Sequence, residues 1–156
     1  DRLAQRGKDN VDFPRVMLEE GSLDFSFSGP KTAVMNHVHN LRQRGMEVGI
    51  ADIAASFQAA VVDVLVSKTA QAVDTMKPAT LLMAGGVAAN SQLRRSMEIM
   101  AGEKGIPLRI PSLELCTDNA AMISAAAWPL FARNRRSDLS LNAVPYLDLA
   151  RAVENC

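Results

Sequence analysis

Apolar residues recur at helical spacing along most of this chain. From Lys31 to Arg44 and from Ile50 to Met76 they return every three or four positions, which predicts two amphipathic helices. A third helix is predicted from Asn90 or Ser91 to Lys104, and a fourth, rich in alanine, from Asp118 to Arg133. The second helix would be roughly 35–40 Å long at ~1.5 Å per residue, so we expect it to be the central packing element.

Short apolar runs between the helices predict strands. Thr80–Ala84 and Pro107–Ile110 are too short for helices and are bounded by proline or glycine, as in buried parallel strands. The alternation in Leu23–Ser28 predicts a half-buried strand that ends at Gly29-Pro30. From Thr80 to Arg133 the order is a βαβα unit with a right-handed crossover. The predicted fold class is therefore α/β, helix-rich with short parallel strands. We expect residues 1–156 to form one lobe and 134–156 a surface tail.

The composition of the chain bears on its binding partners and on its cellular compartment. Seventeen basic residues balance seventeen acidic ones, so any RNA contact must come from a local patch or from another part of an assembly. The two cysteines, Cys116 and Cys156, form neither a disulfide framework nor a CxxC metal site, which favours a reducing, cytoplasmic setting. No uninterrupted apolar run approaches the ~20 residues that cross a bilayer, so no membrane contact is predicted. The polar start without Met reads as mid-protein sequence, and we expect a fragment.

Two glycines follow the first predicted strand directly. Gly85 and Gly86 allow a tight turn and a close approach of a ligand to main-chain amides. The next helix offers unpaired N–H groups and a partial positive charge at its N-terminus. This arrangement suits a phosphate or an acyl-adenylate. An ordinary βα turn with Asn90 as the helix N-cap explains the same residues, and spacing alone leaves both interpretations open.

A second candidate site lies at the start of the last helix. Asp118 could ligate a metal through a carboxylate oxygen, or could be an acidic residue that favours the helix dipole. Cys116 is predicted to be a packed apolar side chain rather than a nucleophile. Ligands collect at the carboxyl ends of parallel strands, so we expect the Asp118 loop and the Gly85-Gly86 turn to be neighbours.

The remaining polar features are less specific. Lys31, after a small polar loop, could touch phosphate or RNA, or could lie in a solvated turn. His37 and His39 are two positions apart on a helix, so they point to different faces and are not expected to share a metal ion. The cluster of Arg133, Arg135 and Arg136 is either a solvated helix end or a phosphate contact. No HExxH motif and no convincing Ser–His or Cys–His pair is present, so no catalytic side chain is assigned.

Five segments together resemble the C-terminal half of the bacterial threonylcarbamoyl-adenosine tRNA transferases, long called glycoproteases. In order, they are LDFSFSGPKTAV, ADIAASFQAAVVDVLVSKT, LLMAGGVAANSQLR, CTDNAAMISAAA and RSDLSLNA. The resemblance covers nearly the whole chain, and five segments in the right order are far more specific than one. Leucine is usual in that family where Pro30 stands, and glycine is usual near Ala127, but neither departure removes a proposed ligand-binding group.

The resemblance implies a fold and an activity. The fold is the two-lobed ATPase fold of actin, Hsp70 and sugar kinases, with an adenylate or ATP-type ligand between the lobes and this chain as the C-terminal lobe. The activity is transfer of threonylcarbamoyl from threonylcarbamoyl-adenylate to N6 of adenosine 37, in tRNAs that read codons beginning with A. An iron or zinc ion is implied, held by an HxxxH motif in the missing N-terminal lobe and by the aspartate that matches Asp118. The asparagine at the adenylate matches Asn90, and the glycines at its phosphates match Gly85 and Gly86.

The resemblance also implies partners: tRNA, the adenylate, the missing N-terminal lobe, a bacterial paralogue and an ATPase protein. A stable metal site needs three or more protein ligands and Asp118 is one, so this chain alone is expected to bind metal poorly and to be inactive. The first alternative is a non-catalytic regulatory module of the same superfold, which would have no need of Asn90 or Asp118. The others are the historically assigned metalloendopeptidase and another enzyme of the superfold, such as a carbamoyltransferase or a small-molecule kinase.

Overall fold

The computed structural model describes residues 1–16, 21–143 and 145–146, and the chain divides into two compact units, Asp1–Cys116 and Thr117–Cys156. Part of the predicted tail, residues 144 and 147–156, lies outside the described residues. The helices and strands are α1 (Ser28–Gln43), α2 (Ile50–Met76), β1 (Leu81–Leu82), α3 (Ser91–Glu103), β2 (Leu108–Arg109) and α4 (Ala120–Ala132). Short 3₁₀ turns span Ala4–Arg6, Gly86–Ala89 and Leu113–Leu115. The α/β class and its richness in helix are confirmed.

Helix α2 is the centre of the first unit, as its length predicted. Val62 on α2 packs with Leu93, Met97 and Met100 of α3, and the strands lie against this cluster. Elsewhere on α2, Ile53 and Ala60 pack with Phe13, and apolar residues of α1 cover that second cluster. One helix therefore contributes side chains to two apolar clusters. Its bounds match the predicted ones because packing in both clusters requires apolar residues at the same helical period.

The start of α1 corrects the sequence prediction. Leu23–Ser28 is not a strand, because residues 23–27 form neither helix nor strand and Ser28 already belongs to α1. Pro30 is buried in the first turn of this helix. The first turn of a helix leaves its N–H groups unbonded inside the helix, so proline fits there without loss. The Phe25 and Phe27 rings stack on each other with centroids 6.0 Å apart. Alternating polarity alone does not make a strand when the described residues offer no partner strand.

The two strands pair in parallel, as predicted, with Leu81 opposite Leu108 and Leu82 opposite Arg109. Both are shorter than the predicted runs. The prediction that the first strand is buried is wrong, because Leu81 is only half-buried and Leu82 has an exposed fraction of 73%. Within the described residues no element covers that side of β1.

By length and composition α2 could cross a membrane, since it has 27 residues and a mean hydropathy of 1.6 over its most apolar window. The sequence prediction considered uninterrupted apolar runs, and charged residues interrupt this one. A single such helix is weak evidence for a membrane span, because core helices pass the same test. Here the helix buries Ser56 and Lys68, and the Lys68 ammonium donates to the Ser22 carbonyl, which fits a helix packed inside a protein.

The N-terminal segment is bound along the start of α2. The Asp52 carboxylate accepts hydrogen bonds from the Lys8 N–H and the Asn10 side-chain amide, both at 2.9 Å. These bonds lower the pKa of Asp52 below its ordinary value of 3.8. The buried Ser56 hydroxyl accepts from the backbone N–H groups of Asn10 and Val11 at 3.1 and 3.0 Å.

Gly7 fits where no side chain could. A Cβ at this position would lie 2.0 Å from the Ala51 carbonyl oxygen. The N-terminal segment therefore contacts the α2 backbone directly, and this contact positions the residues before it, Asp1 included.

The second unit contains α4, capped by Asn119, whose side-chain oxygen accepts from the Met122 N–H at 2.8 Å. None of its helical residues is buried within the described structure. Trp128 and Phe131 stack at 6.0 Å, and the Arg136 guanidinium lies 4.5 Å from the Phe131 ring centroid.

Candidate functional site

A cleft of about 250 Å³ opens in the first unit beside the turn that follows β1. Its walls are mainly apolar side chains of α2 and α3. Its polar groups are Asp1, Gln58 and Asn90. An apolar cleft with a few convergent polar groups is the usual form of a small-molecule site.

Asn90 is the N-cap of α3 and is held from two sides. Its side-chain oxygen accepts from the Leu93 N–H at 2.9 Å, and its amide donates to the Gln58 side-chain oxygen at 2.8 Å. Gln58 in turn donates to Gln92 at 2.7 Å. The N-cap interpretation is confirmed, and this amide network also fixes the side chain at the rim of the cleft.

The Gly85-Gly86 turn leaves an open main-chain surface. Gly85 has φ +91°, a conformation that side chains other than glycine rarely adopt. A Cβ added at Gly85 or at Gly86 would have no atom within 4 Å, so the space above both residues is free. Gly86 and Val87 begin the 3₁₀ turn, where N–H groups have no partner inside the helix. A phosphate group can therefore reach these amides.

Asp1 binds the first turn of α3. Its carboxylate accepts from the Ser91 hydroxyl at 2.8 Å and from the Ser91 N–H at 3.2 Å. Gln5 donates to both side chains, at 3.3 Å to Asp1 and 3.2 Å to Ser91. The Asp1 carboxylate thus takes up the N–H of Ser91, the first α3 residue, whereas the space above Gly85 and Gly86 is free.

Arg94 joins the two loops that follow the strands. Its guanidinium donates at 2.6 Å to the carbonyl of Ala88, after β1, and at 2.6 Å to that of Pro111, after β2. It also donates to the Cys116 sulfur at 3.1 Å. The loops that follow β1 and β2 are therefore joined up to Cys116, whereas the expected closeness of Asp118 to the glycine turn stays a prediction. Cys116 itself is 3% exposed, as predicted for a packed side chain.

Asp118 lies in the second unit, one residue before the cap of α4, and is exposed. Its carboxylate has no hydrogen bond or ion pair with the described residues, so it is available as a ligand. Nowhere in the described ranges do three His, Cys, Asp or Glu side chains come together as a metal site requires. These residues alone therefore do not make a metal centre.

The histidines are separate, as predicted. His37 packs edge-on against Phe13 with centroids 5.7 Å apart, while His39 is exposed on another side of α1. Lys31 is also exposed, in the second turn of α1.

Three residues of the site were missed from sequence. Arg94 had a signal, because a cation close to a helix N-terminus opposes the helix dipole and so indicates a specific partner. Gln58 had a weaker one, as a lone amide between apolar residues of α2. The sequence gives no signal for Asp1, because its partner Ser91 is ninety positions away.

Comparisons with known proteins give consistent matches. A family model described as tRNA N6-adenosine threonylcarbamoyltransferase (TsaD) matches residues 1–125. Curated proteins of that name are 55% identical in Geobacillus thermodenitrificans, 53% in Moorella thermoacetica and 52% in Bacillus thuringiensis, each over 96% of this chain. The chain spans less than half of those relatives, 44% of their length.

Proposed function

We propose that this chain, which belongs to the tRNA N6-adenosine threonylcarbamoyltransferase family, forms the C-terminal part of an enzyme that modifies tRNA. The enzyme transfers threonylcarbamoyl from threonylcarbamoyl-adenylate to N6 of adenosine 37 in tRNAs that read codons beginning with A. The names of the relatives favour this activity over a regulatory module and over an endopeptidase.

The observation that carries the proposal is the fixed Asn90 amide beside an open glycine turn. Asn90 lines the cleft and suits the adenylate, and Gly85 and Gly86 leave main-chain N–H groups accessible to its phosphate. At about 250 Å³ the cleft is smaller than the ~300–1,000 Å³ of a typical small-molecule site. It would hold part of the adenylate, with the rest against the portion of the enzyme that this chain does not span.

In this proposal the enzyme has the two-lobed fold of actin and Hsp70, this chain is its C-terminal lobe, and the ligand lies between the lobes. The attacking group is the amine of the RNA base, so no covalent nucleophile is required of the protein. In this proposal the chain alone is inactive. The whole enzyme works in the cytoplasm with its N-terminal lobe, a paralogue and an ATPase partner.

Asp118 is proposed as the one metal ligand that this chain contributes, to an iron or zinc ion whose other ligands lie in the N-terminal lobe. Its carboxylate is exposed and has no partner among the residues that the structure describes, which supports the role. In the full-length protein Asp118→Ala should lower the bound metal, measured by elemental analysis, at least tenfold. Asp138→Ala, a second exposed aspartate of the same unit, is the matched control. Equal metal content in the two variants would exclude Asp118 as a ligand.

The proposed function is tested with Asn90→Ser in the full-length enzyme. Serine caps a helix about as well as asparagine but cannot supply the amide, so the fold should persist while adenylate binding weakens. We expect the KM for threonylcarbamoyl-adenylate to rise about tenfold or more, read as modified adenosine by mass spectrometry. Asn119→Ser, the same change at the cap of α4, is the matched control for stability.

The possible outcomes distinguish the transferase function from the role of Asn90. A wild-type enzyme that modifies no tRNA, although it is folded and its partners are present, would refute the transferase function. An Asn90→Ser variant with an unchanged KM would leave the function standing and remove Asn90 from the adenylate site.

A further inference from the structure

Helix α1 carries positive charge without any negative charge. Between Ser28 and Arg44 the charged or titratable side chains are Lys31, His37, His39, Arg42 and Arg44, and this stretch has no Asp or Glu. The chain as a whole is balanced, with seventeen basic and seventeen acidic residues. Positive charge is therefore concentrated locally on this helix. Helices α2 and α3 mix the two signs, whereas α4 has no charged residue: α2 contains Asp52, Asp63, Lys68 and Asp74, and α3 contains Arg94, Arg95, Glu98 and Glu103.

Lys31 and Arg42 lie on the exposed face of α1, together with His39. The opposite face packs through Ala33, Val34, Val38 and Leu41 onto the cluster that contains Phe13 and Ile53. With about 100° between successive helical residues, Lys31, His39 and Arg42 fall within an arc of about 80°. All three are exposed.

Lys31 and Arg42 are unpaired among the described residues, and that distinguishes them from other basic side chains. Arg15 contacts Asp63 at 2.6 Å, and Lys104 contacts Asp74 at 2.5 Å. Lys31, His39 and Arg42 have no such partner within the described ranges. They are accordingly free to bind an anionic ligand.

The neighbouring side chains on this face suit a nucleic-acid backbone. Asn36 and Gln43 are exposed and can donate hydrogen bonds without adding negative charge. Met35, 72% exposed, provides an apolar contact between the cations. Phosphate and sugar oxygens in protein–nucleic acid complexes are contacted mainly by Arg, Lys, Asn, Gln and hydroxyl side chains. From Lys31 to Arg42 the face runs roughly 16 Å, which is long enough to meet several phosphates.

We propose that this face, the α1 ridge (Lys31, Met35, Asn36, His39, Arg42 and Gln43), binds the sugar–phosphate backbone of the tRNA substrate. The inference rests on the proposed function, because that function makes tRNA the ligand. It adds the contact surface that a chain with no net charge requires. Sequence alone left Lys31 between a solvated turn and a phosphate contact, and the ridge assigns it to RNA.

The test compares two full-length double variants that each remove one lysine and one arginine. Lys31→Gln/Arg42→Gln changes the ridge, whereas Lys77→Gln/Arg95→Gln removes the same charges from exposed positions elsewhere in the first unit. Binding of unmodified tRNA is measured by fluorescence anisotropy at several salt concentrations. Helix content and melting temperature are compared with those of the wild-type protein, to confirm that both variants fold.

The ridge variant should bind tRNA about tenfold or more weakly at physiological salt. The slope of log K against log salt should fall by roughly 1.4–1.8, the value for two lost phosphate contacts. The KM for tRNA should rise while kcat at saturating tRNA stays near the wild-type value. The control variant should match the wild type in all three quantities.

Two results would overturn the inference, and only one of them would also refute the proposed function. If the wild type binds and modifies tRNA and the ridge variant behaves like the control, the ridge is not the RNA contact and the proposed function stands. If the wild type neither binds nor modifies tRNA, both the function and the ridge are refuted.

Discussion

Replacing Arg94 with methionine should release the two loops that border the cleft. The guanidinium holds the carbonyl of Ala88 on one loop and that of Pro111 on the other, with both distances at 2.6 Å. Methionine keeps much of the apolar stem and removes all donors. Both carbonyls then lose a charged partner at once.

The size of the effect follows from these bonds. A hydrogen bond from a charged donor contributes ~1.5–3 kcal/mol, so the two carbonyl bonds together contribute about 3–6 kcal/mol. The bond to the Cys116 sulfur adds little, because thiols are weak acceptors. Since Arg94 is only partly buried, water can replace part of the lost interaction, and the lower figure of about 3 kcal/mol applies. That free energy corresponds to roughly a hundredfold change in an opening equilibrium, because each ~1.4 kcal/mol is tenfold.

Hydrogen exchange measured by mass spectrometry on the full-length protein tests this figure. The backbone amides of the two loops that donate hydrogen bonds, those of Ala88, Asn90, Leu115 and Cys116, should exchange roughly a hundredfold faster in Arg94→Met than in the wild type. Arg95→Met is the matched control, because Arg95 is the next residue of α3 and is exposed. An increase below threefold, or an equal increase in both variants, would show that Arg94 does not hold the loops.

Three further predictions concern the backbone and the N-terminal segment. Gly85→Ala should lower the free energy of unfolding by ~1–3 kcal/mol because of its φ of +91°, whereas Gly86→Ala should stay within ~0.5 kcal/mol; equal urea midpoints would contradict this. Gly7→Ala should lower the melting temperature, at a cost of at least ~1–3 kcal/mol, because the new Cβ would overlap the Ala51 carbonyl; a wild-type melting curve would contradict the close contact. Asp52 has a folded pKa below 3.8, so its stabilising effect is complete above that pH and is lost as pH falls through the folded value. Asp52→Asn should therefore be less stable than the wild type at pH 7 in urea unfolding, and the difference should shrink as the pH falls below 3.8; a difference in stability that does not change with pH would refute the assignment.

Periodicity predicted the helices well because packing imposes it. The bounds of α2 and, within one residue, of α3 could be predicted from sequence, since apolar residues recur wherever a helix faces a cluster. The alternation in Leu23–Ser28 failed because a strand also requires a partner, which no local pattern supplies. The Gly29-Pro30 pair looked like a stop, although proline is equally suited to the first turn of a helix.

The candidate site was predictable where it depends on local backbone chemistry. The glycine turn and the Asn90 cap follow from a strand, two glycines and a helix in succession. The Gln58 and Arg94 contacts depend on how α2, α3 and the loops pack, and they join residues as far apart as Asn90 and Gln58. Asp118 remains a prediction, because its proposed partners are not part of this chain.

The bond between Asp1 and Ser91 has a consequence for folding. The two residues are ninety positions apart in the sequence. Asn10 and Asp52, which are also hydrogen-bonded, are forty-two positions apart. Contacts between such distant residues carry a loop-closure cost, so local helices such as α2 can form before these contacts do. On the ribosome, Asp1 must wait until the first turn of α3 has been synthesised. The cleft therefore closes late, and a nascent chain that stops before Ser91 has no means of completing it.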